Sequence, residues 1–195
     1  MSDPMTYSFY GTTIPALKKV TQSAISILTS AKTELSTAAN GTLPTELEVL
    51  DSHFGTMLPF RMQPIFMAKF ASLALDDTKL TGSVAFPPMI PSFTSFDEVI
   101  DFCKKVGAAL DAIDEKAFNA SAEKSCSIFL DGPNKTLNLT GLADYFHSFV
   151  MPNSYFHVSA MYMLLRSKGF SLGKTVYIGS WMSPQLVQDF APLRG

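Results

Sequence analysis

The sequence predicts an all-α fold, a four-helix bundle with a long crossover connection and a small β-hairpin before the last helix. Apolar residues recur at three- and four-residue spacing in four long segments, as they do on the buried faces of helices. A proline-rich stretch separates the second segment from the third, and two short strand-like runs precede the fourth. A chain of 195 residues, 47% of them hydrophobic, builds one core, so we expect a single domain over residues 1–195.

The first two long helices are bounded by capping residues and prolines. The first is predicted over Ile14–Ala39, with Thr13 as its N-cap and Pro15 in its first turn. The second is predicted over Pro59–Leu75. Pro64 lies five residues into it and predicts a kink, because proline lacks the backbone donor that continues a helix.

The middle of the chain combines a short helix, an irregular connection and a third long helix. Thr45–Leu50 is predicted as the short helix, and 76–94 as the crossover and a candidate mobile lid. Ser95 and Glu98 form a capping-box pattern at the start of the third long helix.

The last third of the chain predicts a hairpin, the final long helix and a helical tail. Strands are expected at Cys126–Leu130 and Thr136–Thr140, followed by a helix that ends at Gly169. Pro152 predicts a kink in that helix. Ser183 and Pro184 predict the start of a short amphipathic helix.

Composition limits the classes of partner. Lys and Arg number 15 against 17 Asp and Glu, and the net charge of -2 provides no basic surface for nucleic acid. No apolar run is long enough to span a bilayer and no signal peptide is recognisable, so we expect a cytoplasmic protein without a membrane partner. Cys103 and Cys126 are expected to be reduced and buried.

The last helix also carries a family resemblance. Residues 144–174, DYFHSFVMPNSYFHVSAMYMLLRSKGFSLGK, resemble the last helix of an uncharacterised family of bacterial and fungal proteins within the DinB/YfiT-like superfamily. The segments IPAL, LPTEL, MLPFRMQ, FDE and LTG follow that family in the same order. The resemblance implies the same four-helix bundle, and homodimers are frequent in this superfamily.

Many DinB-like proteins bind a divalent metal through one histidine on the second helix and an HxxxH pair on the fourth. By resemblance, Phe70 stands where the second-helix histidine is found, and Asn153 replaces the first histidine of the pair. Only His157 is retained. The resemblance therefore predicts no metal and no cofactor at the inherited position.

The candidate site is centred on the last helix. His157 is the candidate acid/base residue, and Asn153 and Met161 share its helix face at four-residue spacing. We expect a cavity between the second and fourth helices, because the two prolines would bow these helices apart. Further candidate binding residues are polar or aromatic groups in apolar surroundings. They are Tyr10, His53, Arg61, Gln63, Phe70 and Tyr155.

Three hypotheses for function follow from these patterns. The first is a protein that binds or transforms a small hydrophobic molecule without metal, with His157 moving a proton in an isomerisation, cyclisation or dehydration. The second is a metal-dependent hydrolase or thiol transferase with ligands drawn from His53, His147 and His157. The third is a non-catalytic interaction protein, and a homodimer is expected.

Overall fold

The computed structural model describes residues 7–39 and 41–194, and its first helix, α1, spans Phe9–Thr37. Ser8 is the N-cap, and its Oγ accepts a hydrogen bond from the Gly11 N–H at 3.0 Å. The helix therefore begins five residues before the predicted Ile14. Pro15 lies inside α1, where it costs one backbone hydrogen bond without ending the helix.

In the second long helix, Pro64 lies in the first turn and not five residues into the helix as predicted. A 3-10 turn at Phe60–Met62 leads directly into α3, Gln63–Asp77, so the proline lies in the first turn of that helix. Backbone N–H groups of a first turn have no intrahelical acceptor, and a proline there breaks no bond. The preceding short helix α2, Glu46–Leu50, has the capping box at Thr45.

The third long helix and the hairpin follow the predicted order. Helix α4 spans Phe96–Asp111 and is capped by Ser95, and the short α5 spans Glu115–Asn119. Strands β1, Cys126–Leu130, and β2, Lys135–Leu139, pair in an antiparallel sheet.

The last long helix is continuous through Pro152. It consists of α6, Leu142–Tyr145, a π-helical segment, Phe146–Val150, and α7, Met151–Ser167. The Met151 N–H donates to the Phe146 carbonyl, one residue further back than in an α-helix. This wider turn accommodates the missing backbone donor of Pro152, so the disturbance predicted from the proline takes the form of a local change of helix type.

A helical tail lies across α1. Helix α8 spans Lys174–Ile178, a 3-10 turn spans Gly179–Trp181, and α9 spans Pro184–Asp189 before a last 3-10 turn at Ala191–Arg194. The Lys19 ammonium donates to the Trp181 carbonyl at 3.0 Å, which fixes the tail on the bundle.

The centre of the bundle is closed. Helix α1 packs against α4 and α7, and α3 packs against α7. Phe86 of the crossover borders a space of about 10 Å³ between α1, α3 and α4. Such a space holds about one water molecule and no organic ligand. Leu80 and Phe93 anchor the crossover in the core, and its role as a lid stays a prediction.

The longest described helix, α1, has 29 residues and presents Thr, Ser and Lys as well as apolar side chains. Across residues 7–39 and 41–194, no helix combines the length and apolar character needed to cross a bilayer.

Both cysteines are free and buried, as predicted. Burial raises the pKa of the Cys103 thiol to about 12 and also raises the pKa of Cys126, near the Asp77 carboxylate. Because the thiolate is the reactive form, we expect neither thiol to react with a disulfide reagent in the folded protein and both to react in urea. Rapid labelling of two thiols without denaturant would contradict this packing. Cys103→Ser should halve the number labelled in urea.

Candidate functional site

A hydrogen-bonded pair, Gln63 of α3 and His157 of α7, connects the two helices at the predicted site. The Gln63 side chain is buried, and its Nε2 donates to the Leu58 carbonyl at 2.7 Å. This orientation turns Oε1 toward His157, whose Nδ1 lies 2.8 Å away. Because Oε1 can only accept, Nδ1 carries the proton and Nε2 keeps its lone pair.

The second ring nitrogen of His157 has no hydrogen-bond partner among the described residues. No described residue bonds to Nε2, and Nε2 is not among the buried unpaired atoms of the described residues. Burial of the ring lowers the pKa of His157 to about 4. The imidazole is therefore neutral at pH 7, with a lone pair on Nε2.

His157 belongs to a row of six contacting rings, which is called the aromatic face below. Neighbouring ring centroids along it lie between 4.9 and 6.1 Å apart. Phe156 is 56% exposed and Phe149 43% exposed, so part of the face is open to solvent. The members in order are Phe156, His157, Phe66, Phe70, Phe149 and Tyr145.

One cation borders the aromatic face. The Lys69 ammonium lies 5.9 Å from the Phe66 ring centroid and 3.6 Å from a carboxylate oxygen of Asp131. Its charge is thus partly balanced within the protein.

Two further bonds tie α7 to α3 beside the pair. Asn153 Nδ2 donates to the Phe66 carbonyl at 2.9 Å, and Ser154 Oγ donates to the Met67 carbonyl at 2.8 Å. Met161 is fully buried. Hydrogen bonds hold the two helices together here, where we expected them to bow apart around a cavity. The exposed part of the aromatic face is formed by Phe149 and Phe156.

The structure separates the two candidate tyrosines from His157. The Tyr10 backbone N–H donates to Asn119 at 2.7 Å, near the first turn of α1. The Tyr155 ring packs against Trp181 of the tail with a centroid distance of 5.3 Å. Neither tyrosine belongs to the aromatic face.

His53 and Arg61 have other partners. His53 is exposed, and its Nδ1 lies 2.7 Å from the Gly55 carbonyl in its own loop. The Arg61 guanidinium pairs with Asp51 at 2.5 Å, while its Nε is buried without a hydrogen-bond partner. Of the predicted residues, the structure brings together His157, Gln63, Asn153 and Phe70.

The residues at this site do not fit a divalent metal. Within the described residues, no three His, Cys, Asp or Glu side chains are grouped as a metal site requires. Asn153 uses its amide nitrogen on a carbonyl, and Phe70 has no donor atom. His147, the third histidine, directs Nε2 to the Thr13 hydroxyl at 3.0 Å, at the start of α1.

Three phenylalanines of the site were missed by sequence reasoning. Phe66 stacks on His157 with a centroid distance of 5.6 Å, Phe156 contacts His157, and Phe149 contacts Phe70. A signal was present, because Phe66 and Phe70 are four residues apart and Phe149 and Phe156 seven apart, spacings that share a helix face.

Comparison with known proteins gives a family and a fold. Residues 9–178 match the model of a domain of unknown function, DUF1993. The crystal structure of a DinB family member protein from Shewanella denitrificans is similar in fold, with a TM-score of 0.68 and 21% identity. That similarity covers 90% of this chain and 93% of the other. No match was found among curated proteins.

Proposed function

Because the chain belongs to the DUF1993 family, whose function is unknown, and has a DinB-like fold, we propose a function from its own site. We infer that the aromatic face binds a small apolar molecule that carries an O–H or N–H group, and that no metal takes part in this binding. The observation that carries this proposal is that Nε2 of a neutral His157 has no partner among the described residues and lies in a row of partly exposed rings.

Binding would combine ring stacking with one directed hydrogen bond. Phe66 lies nearly parallel to the His157 ring, with an interplanar angle of 23°, and Phe156 meets that ring edge-on. Gln63 fixes the ring orientation, so Nε2 needs no rearrangement to accept a hydrogen bond. Because His157 Nε2 is already oriented as an acceptor beside apolar side chains, we expect it to favour ligands in which a hydrogen-bond donor is attached to an apolar ring or chain.

Proton transfer is the chemistry that these residues support. Nε2 would take a proton from one atom of the bound molecule and return it to another in an isomerisation or cyclisation, or to the leaving hydroxyl in a dehydration, while the second proton stays on Nδ1 in its hydrogen bond to Gln63 Oε1. A base with a pKa of about 4 is weak at neutral pH, because general bases work best when their pKa is near the pH. Binding is therefore the primary proposal.

A naphthol tests this binding. We expect 2-naphthol to bind the wild type and to bind His157→Phe about tenfold more weakly, the cost of one hydrogen bond of about 1.4 kcal/mol. Naphthalene lacks the donor and should bind both proteins alike. Calorimetric or fluorescence titration gives the dissociation constants, and His53→Phe is the matched control. If His157→Phe lost the same affinity for naphthol as for naphthalene, the hydrogen bond to Nε2 would not contribute to binding and that part of the proposal would be wrong.

A second candidate function is self-association through the outer face of the last long helix, which includes the π-helical segment and α7. Phe149, Phe156 and Met163 recur every seven residues and are 43%, 56% and 55% exposed. This spacing is the repeat by which helices pack against each other. We expect a homodimer, and Phe156→Lys should convert it to the monomer, whereas Phe190→Lys in the tail should not. Light scattering that finds the wild type monomeric at high concentration would exclude it.

A further inference from the structure

The hairpin has one free edge. Strand β1 packs against α3, and its outer edge is covered, because the Ser127 backbone N–H donates to the Asp77 carboxylate of that helix at 2.8 Å. Strand β2 pairs only with β1. No described residue bonds to the backbone on the other side of β2, and four of its five residues are exposed. An edge of this kind pairs readily with another strand.

The register of the hairpin determines which backbone groups face the free edge. Ser127 lies opposite Asn138, and its N–H points away from β2 toward Asp77. Pairs that exchange hydrogen bonds alternate along an antiparallel ladder with pairs that do not, so this pair and the pair of Phe129 with Thr136 exchange none. The backbone N–H and C=O groups of Thr136 and Asn138 therefore point outward.

The side chains of β2 alternate between the two faces of the hairpin. Ile128 of β1 is buried against the bundle, and Leu137 lies opposite it, so Leu137 faces the bundle as well. Lys135 and Leu139 share this face because they are two residues away from Leu137. Leu137 is nevertheless 43% exposed, so the bundle leaves open space beneath β2.

A groove of about 280 Å³ lies where β2 leads into the last long helix. Leu139, Thr140 and Asp144 are among the residues that line it, and no described Lys or Arg does. The Asp144 carboxylate accepts a hydrogen bond from the Ser148 hydroxyl at 2.7 Å and forms no ion pair with any described residue. Lys135, at the start of β2, has no ion-pair partner within the described chain either. The strand thus has an unpaired cation at its start and an unpaired carboxylate beyond its end.

We propose that β2 pairs with β2 of a second copy of this chain, antiparallel, with Leu137 of each copy at the two-fold axis. Thr136 then lies opposite the partner's Asn138, and the outward backbone groups of both strands exchange hydrogen bonds. Lys135 lies opposite the partner's Leu139, so the whole of each strand is paired. The two hairpins form one four-stranded sheet, because the strand sequence KTLNL is complementary to itself.

Charge complementarity favours a second copy as the occupant of this edge. A lysine on an edge strand usually discourages pairing. Here the register brings Lys135 of each copy to the groove of the other, where Asp144 supplies the opposite charge, and the symmetry repeats this contact. Asn138 accepts the Ser127 hydroxyl through Oδ1, so its Nδ2 is available to donate to the partner's Thr136 hydroxyl.

Cysteine cross-linking tests the register. Leu137→Cys places two thiols in a pair whose Cα atoms are about 4.5 Å apart, which a disulfide can bridge, so mild oxidation should give mostly covalent dimer. Thr136→Cys is the matched control, because its two copies would be diagonal neighbours about 7 to 8 Å apart. The wild type should not cross-link, since both native thiols are buried. Equal cross-linking of the two variants, or none in Leu137→Cys, overturns the proposal.

Exchange of charges tests the contact between Lys135 and Asp144. Lys135→Asp brings two carboxylates together and should weaken dimerisation at least about tenfold in sedimentation equilibrium. The double variant Lys135→Asp with Asp144→Lys should restore it. Lys116→Asp on α5 makes the same change of net charge away from β2 and should have no effect. Circular dichroism checks that each variant folds. A double variant as weak as Lys135→Asp overturns this register.

Hydrogen exchange separates strand pairing from the alternative, association through the outer face of the last long helix. The Thr136 and Asn138 amides should exchange more slowly as protein concentration rises, whereas the Leu137 amide, bonded within the hairpin, should be protected at every concentration. Phe156→Lys changes only the alternative surface and should leave this dependence intact. Exchange that is independent of concentration, or a dependence that Phe156→Lys abolishes, overturns strand pairing. None of these results depends on ligand binding at His157, so the two proposals can fail separately.

Discussion

Between pH 7 and pH 4, the free energy of unfolding is expected to fall by up to about 3 kcal/mol through His157 alone. Burial lowers the pKa of His157 from 6.5 to about 4 in the folded chain. Between these two values the unfolded chain binds a proton that the folded chain does not. Stability is therefore fully present above pH 6.5 and is lost as the pH falls toward 4. A difference of this size is worth about 3 kcal/mol, and the partial exposure of the ring makes that an upper limit.

Urea unfolding at pH 7 and at pH 4.5 measures this effect in the wild type and in His157→Phe. Carboxylates titrate in both proteins, so the difference between them isolates the histidine. We expect the variant to lose less stability on acidification, while His53→Phe, altered in an exposed loop, should behave as the wild type. An NMR titration should place the His157 pKa near 4. Parallel pH dependence in wild type and His157→Phe would contradict the burial of this ring.

Helix starts that are determined by a cap and the residues of the following turn were predictable from the sequence. Thr45 and Ser95 cap their helices through bonds to residues three positions away, so sequence alone contains the information. The start of α1 was not predictable in this way, because both Ser8 and Thr13 are suitable N-cap residues. The extra turn is held by the Phe9 ring, which stacks on Phe118 of α5 at 4.2 Å. That contact joins residues far apart in sequence.

The response of the last helix to Pro152 was also hidden from the sequence. A proline predicts a disturbed helix, and both a kink and a π-helical turn relieve the missing bond. The structure takes the π-helical turn at Phe146–Val150. Packing around the helix, which the sequence does not show, selects between the two.

The members of the candidate site were partly predictable, but their partnership was not. His157 and Gln63 were each identified, yet their bond joins residues 94 positions apart and depends on how α3 meets α7. Tyr155 could have been left out of the predicted site, because two residues turn a helix by about 200° and so place Tyr155 opposite His157. Tyr10 was included as a polar group in apolar surroundings, and its place near the start of α1, away from His157, depended on the missed first turn.

Replacing Gly82 by alanine is expected to destabilise the protein by about 3 kcal/mol or more. A Cβ at this position would overlap the backbone carbonyl carbon and oxygen of Ala112, at the end of α4, and lie 2.9 Å from the Ala112 Cβ. Backbone atoms cannot rotate away as a flexible side chain does, so the crossover must move off α4. Leu80 and Phe86, on either side of Gly82, would then lose contacts with the core.

The matched control is Gly132→Ala in the hairpin turn, where nothing lies within 4 Å of the added Cβ. We expect that variant to unfold within about 0.5 kcal/mol of the wild type, as surface substitutions usually do. Urea unfolding compares the three proteins, and hydrogen exchange should show faster exchange at the end of α4 in Gly82→Ala only. Equal unfolding midpoints for the two variants would mean that the crossover is not held against α4. The closed centre of the bundle, which Phe86 borders, would then need another explanation.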